Sequence, residues 1–121
     1  MPTGRTIALG ALLLLLGAAL ACEKDRSGWT DAQLGLTPQQ ARGRRSYNAR
    51  CAHCHEAYLD RPLNGPTMKD LYKKKYMPSG APANDERVRD ALLLGRPNMP
   101  GYRNVMSERE LEDMIAYLHT L

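Results

Sequence analysis

Two of the chain's three cysteines stand in Cys51-Ala52-His53-Cys54-His55, two residues apart and followed at once by a histidine. Thiols three positions apart on a helical turn can each add to one vinyl group of the same porphyrin. The adjacent imidazole then faces the central iron from one side, which is the C-x-x-C-H pattern of covalent c-type haem attachment. The same residues have two other chemistries. A thioredoxin-type redox pair needs a βαβ context, and no stretch of this chain alternates with the period of two that strands show. A structural zinc site needs a second ligand pair, which His119 alone does not supply.

The third cysteine follows a different kind of segment. Arg5 and the amino terminus carry the only charges ahead of Ile7 to Ala21, an apolar run rich in leucine. A run of this length is short for a hydrocarbon layer of about 30 Å and has the flanks of a signal-peptide core. It ends in Ala19-Leu20-Ala21-Cys22, which resembles the lipobox of bacterial lipoproteins in its looser form, with Ala19 where leucine is most usual. That resemblance implies cleavage before Cys22, acylation of its thiol and export. Residues 22 to 36 are polar with scattered glycine and read as a flexible tether whose typical reach is roughly 20 to 23 Å. Packing of Trp29 and Leu34 on the domain is the alternative for this segment.

A haem motif needs helices to hold it, and residues 37 to 121 contain them. Thr37-Pro38-Gln39-Gln40 combines an N-cap, a proline at the first helical position and a capping-box glutamine, starting a helix that runs to about Arg50. Gly43 and Tyr47 share one of its faces. Residues 56 to 83 are broken by Pro62, Gly65-Pro66, Pro78, Gly80 and Pro82, so only Thr67 to Tyr76 has room for a short helix. Asn84 caps a second helix, Asp85 to Leu94, which Gly95 stops. Ser107 and Glu110 form a capping box for the last one, where Leu111, Met114, Ile115 and Leu118 recur at helical spacing and Met106 can staple to Leu111. The domain is expected to be all-α.

Its core is thin. The chain has no Phe and one Trp, and a domain this small usually needs a disulfide, a metal or a bound cofactor to complete it. Charge is uneven: residues 42 to 75 hold nine basic and three acidic groups, residues 85 to 121 five basic and seven acidic. An exported chain without aromatic-interleaved basic motifs is not expected to bind nucleic acid.

From Thr37 to the end, the order of motifs resembles a class I, mono-haem cytochrome c: a first helix with Gly43 and Tyr47, C-x-x-C-H, Gly65-Pro66, then a Met-Pro loop before the last helix. The resemblance implies a small helical domain wrapped around one haem c, bound through Cys51 and Cys54 with His55 as an iron ligand. It further implies that the carbonyl of Pro66 accepts the imidazole N–H, and that Met99, in Asn98-Met99-Pro100-Gly101-Tyr102, is the second ligand. Gly43 would let the first and last helices approach, with Tyr47 and Tyr117 as ring neighbours. Met77-Pro78 is a decoy whose use would leave the Asp85 helix outside the crevice, and His119 is a further alternative ligand. Met68 and Met114 read as core filler and His53 as a surface residue.

With His and Met both on iron, no position stays open for oxygen or substrate, so the expectation is a one-electron carrier and not an enzyme. The signal places it on the periplasmic side of a bacterial membrane, tethered by a lipid on Cys22. A fixed haem subunit of a respiratory or dehydrogenase complex is the alternative, and a sensor or enzyme would need a labile sixth ligand. Arg61, Lys69, Lys73, Lys74 and Lys75 follow the motif, and a ring of them would steer redox partners with acidic docking faces.

Overall fold

The computed structural model describes residues 23–121; the apolar run and Cys22, with the signal and acylation readings that rest on them, lie outside the described residues. Three helices make up the domain: α1 (Pro38–Arg50), α2 (Asp85–Leu94) and α3 (Glu108–Leu118). Among the described residues there is no strand, only the isolated bridges Tyr76 to Pro82 and Arg96 to Met99. No helix among them is long and apolar enough to cross a membrane.

Each helix begins where its cap dictates. The Thr37 hydroxyl accepts from the Gln40 amide and the Gln40 side chain accepts from the Thr37 amide, closing a capping box; Ser107 and Glu110 do the same for α3. Asn84 accepts from the Arg87 amide at the start of α2, and Gly95, at φ 73°, ends it in a region that a side chain would strain. The expected helix within residues 67–76 shrinks to a single 3₁₀ turn, Leu71–Lys73. Asp70 ahead of it takes a left-handed φ of 56°, which no α-helix can run through.

The crossing of α1 and α3 organises everything else. A Cβ on Gly43 would lie 1.9 Å from the carbonyl oxygen of Asp113 and 2.8 Å from Cβ of Tyr117, so the helices meet backbone to backbone. Tyr47 and Tyr117 pack edge to face beside it, with ring centroids 5.3 Å apart. One polar pair seals the crossing: Arg42 donates to both carboxylate oxygens of the buried Asp113, at 2.7 and 2.9 Å. Hydrogen bonding from Arg42 holds that carboxyl below the ordinary aspartate range, against the opposing effect of burial. Leu111, Met114, Ile115 and Leu118 are buried as their spacing predicts, and Met106 is buried with them.

Along residues 23–36 the structure differs from a free tether. Leu34 and Leu36 pack against the core. The Arg44 side chain, only 11% exposed, donates to the Asp31 carboxylate at 2.8 Å and to the Ser27 carbonyl at 3.2 Å. An apolar foothold and a buried guanidinium together fix a segment whose polar composition alone suggests freedom.

Candidate functional site

Cys51 caps the C-terminal end of α1, and the motif continues as one more turn: the amides of Cys54 and His55 both donate to the Cys51 carbonyl, at 3.0 and 2.9 Å. The Tyr47 hydroxyl donates to the His55 carbonyl at 2.6 Å, tying the end of the motif back to the helix that leads into it. Cys51 is buried and Cys54 half-buried, and they form no disulfide. Burial pushes the Cys51 thiol up to about 11.

The His55 ring is held on two sides. Its Nδ1 lies 2.8 Å from the carbonyl oxygen of Pro66. A carbonyl can only accept, so Nδ1 is the donor in this contact, and in that tautomer Nε2 keeps the lone pair a metal would need. Gly65 supplies the other wall: a Cβ there would sit 2.5 Å from Cε1 of the imidazole, which is why the ring can lie against bare backbone.

Beside this ring opens a crevice of about 540 Å³, lined by Cys51, Cys54, His55, Pro66 and Met99 together with Leu71, Val88, Ala91, Leu92 and Leu118. The five residues expected to hold the cofactor are thus brought to one cavity. So are Met68, Met77 and Met114, and Met77 shares the lining with Met99 even though it belongs to a different loop. Met99 sits in a tight loop where Arg96 and Met99 exchange backbone hydrogen bonds at 2.9 and 3.0 Å. The Tyr102 amide, bonded to the Leu92 carbonyl at 2.9 Å, clips that loop to α2. A side chain on Gly95 would lie 2.4 Å from the Met99 carbonyl oxygen, and one on Gly101 would lie 2.7 Å from the Leu93 carbonyl oxygen at the end of α2. Met77 is held instead in a turn closed by its bonds with Ala81 and Gly80.

The donor set fits a haem c on the structure's own terms. An apolar cavity takes a flat hydrophobic ring, a neutral imidazole and thioethers are ligands for iron, and two thiols lie on the same lining. Charged side chains on the lining are Arg50 and Arg96, with His53 beside them and uncharged polar groups at Asn64, Ser79 and Asn98. Arg50 is paired with Glu110 at 3.5 Å, and His53 is exposed, as expected of a residue between the two cysteines. His119 is not on the lining: its Nε2 lies 2.7 Å from the Asp85 carboxylate and its ring stacks on Tyr72.

Three residues escaped the sequence reading. Asp113 looks like one more charge on a polar helix face, and only its position opposite Gly43 marks it. Tyr58 joins its hydroxyl to that of Tyr117 at 2.7 Å, raising the Tyr117 hydroxyl well above the ordinary tyrosine range, chiefly through burial. Gly65 stands in the sequence as half of the Gly65-Pro66 motif, and nothing there shows that the His55 ring lies against it. The basic residues after the motif are also less free than their count suggests. Arg61 pairs with Glu56 at 3.2 Å, Lys69 with Glu23 and Lys73 with Asp70, while Lys74 and Lys75 are exposed.

The family described as cytochrome C oxidase, cbb3-type, subunit III matches residues 38–118. The chain is also 30% identical over 112 residues, 92% of its length, to proteins of Mycobacterium bovis and Mycobacterium tuberculosis named cytochrome bc1 complex cytochrome c subunit. It spans 38% of the length of those relatives.

Proposed function

Because this chain belongs to the cytochrome c oxidase, cbb3-type, subunit III family, we propose that it is a one-electron carrier with a single haem c, ligated by His55 and Met99 and attached through Cys51 and Cys54. When bound, the haem supplies an iron that exchanges one electron between its ferric and ferrous states. The chain's own residues do the rest. Pro66 and Gly65 fix the tautomer and angle of the imidazole, so that little rearranges as the charge changes. Leu71, Val88, Leu92 and Leu118 exclude water, which disfavours the extra charge of the ferric state, and a methionine ligand raises the potential in the same direction.

The observation that carries this reading is the His55 ring, with Nδ1 2.8 Å from the Pro66 carbonyl, on the same crevice as both thiols and Met99. Ferric protein should show the weak near-infrared band of sulfur bound to haem iron, with Met99→Ala abolishing it and Met77→Ala leaving it. The reverse pattern would assign the ligand to Met77.

A fixed subunit of a larger redox assembly is the second reading, favoured by the name of the mycobacterial relatives. Under either reading Cys22 carries a lipid that holds the domain on the periplasmic side of a bacterial membrane. The partners are redox proteins that approach the crevice. A mass spectrum of the membrane-extracted protein tests the lipid, and cofractionation with an oxidase or quinol-oxidising complex separates the two readings.

A further inference from the structure

If the lipid sits on Cys22, the way residues 23–36 are docked decides which face of the domain meets the membrane. A free chain of this length would let the domain swing over roughly 20 Å. Here the segment is fastened at intervals. Leu34 and Leu36 rest on the core. Asp31 and the Ser27 carbonyl hold the buried Arg44 guanidinium, and the Arg26 guanidinium lies 5.2 Å from the centre of the Tyr58 ring. The last fastening is at Glu23, whose carboxylate accepts from the Asp60 amide at 3.1 Å and pairs with the Lys69 ammonium.

Cys22 is joined directly to Glu23 in the sequence. An acyl chain there brings the bilayer surface to the loop that Glu23 touches. That loop has suitable chemistry at its tip: Arg61, Pro62 and Leu63 are all exposed, Leu63 at 45%. An exposed apolar tip beside a cation is what the boundary between headgroups and acyl chains accepts. We propose that the 60–69 loop, with Pro62 and Leu63 at its tip and Arg61 beside them, lies against a phospholipid bilayer. The same loop supplies Asn64, Gly65, Pro66 and Met68 to the crevice. The crevice is therefore held at a set angle to the membrane, and the domain does not swing. This inference rests on the lipid reading of Cys22.

The test uses the full-length, haem-loaded protein on vesicles of phosphatidylethanolamine and phosphatidylglycerol, with p-benzoylphenylalanine replacing either Leu63 or the still more exposed Val105. Irradiation should give a phospholipid adduct at 63 and none at 105. Equal yields, or no adduct at 63, would overturn the proposed face. Asp31→Ala combined with Glu23→Ala removes two surface carboxylates that fasten the segment, and should bring the yield at 63 down to that at 105. An unchanged yield would show that the docked segment does not set the orientation. If the mass spectrum shows no acyl group on Cys22, the lipid reading fails by itself. Coupling the Cys22 thiol to a maleimide phospholipid then puts the same comparison of 63 with 105 to the docked segment alone.

Discussion

The crossing of α1 and α3 and the wall of the crevice are built on opposite principles. At the crossing a glycine lets two backbones touch, two tyrosine rings fill the flanks, and a buried carboxylate has both oxygens occupied by one guanidinium. Nothing is left to add. The wall comes largely from two irregular stretches, residues 56–83 and 95–105, and from apolar side chains of α2 and α3 that face a cavity instead of one another. Half of the chain's methionines, Met68, Met77 and Met99, come from those stretches, suited by their flexibility to close around a shape the protein does not itself provide. One region is completed by the chain, the other by what it binds.

The sharpest way to break this contrast is to prevent filling. Without the ring, the crevice leaves apolar side chains of a thin core facing water, and a small domain has little stability to spare. Cys51→Ala with Cys54→Ala, expressed in an exporting host, should lose most of its far-ultraviolet ellipticity. Native helical content without haem would mean that the wall stands unaided.

Attack on the finished region comes next in size. Gly43→Val forces methyl groups into the Asp113 carbonyl and should cost at least about 3 kcal/mol in guanidinium unfolding of the haem-loaded protein. The visible spectrum in native buffer should stay unchanged, because neither Gly43 nor the Asp113 it meets lines the crevice.

A smaller effect isolates the polar seal. The Asp113 carboxyl is held below its ordinary range by Arg42, so its contribution is complete above the unfolded aspartate value of about 4. It is lost as pH falls through the lower folded value. Urea melts from neutral to acid pH should show stability declining below about pH 4, and Asp113→Asn should be less stable at neutral pH and decline less steeply. Identical slopes would remove Asp113 from the seal.

The smallest effect concerns the surface. Arg61, Lys69 and Lys73 already have carboxylate partners, which leaves Lys74 and Lys75 to attract an acidic redox partner. Lys74→Glu with Lys75→Glu should slow electron transfer to such a partner at low salt, and the difference should vanish near 1 M, where the Debye length is about 3 Å. Equal rates at low salt would show these lysines to be solvating groups only.

Much of this is legible in the sequence alone. The capping boxes at Thr37 and Ser107 and the stop at Gly95 set the helix ends, because caps act over three or four residues of continuous chain. The C-x-x-C-H spacing announced its chemistry for the same reason. Where residues 67–76 had room for a short helix there is only the 3₁₀ turn Leu71–Lys73, because Asp70 takes the left-handed φ that aspartate tolerates better than most residues and that composition does not announce.

What the sequence determined by itself is therefore local: an all-helical domain, a haem motif at the end of its first helix, and a thin core in need of a partner. Tertiary structure decided which distant residues share a surface. It set Asp113 against Gly43 and Arg42, brought Met77 to the same lining as Met99, moved His119 away to Asp85, and laid residues 23–36 along the domain. Contacts between residues far apart in the chain depend on how whole helices cross, and one glycine at that crossing carries more of the answer than any motif near the residues it brings together.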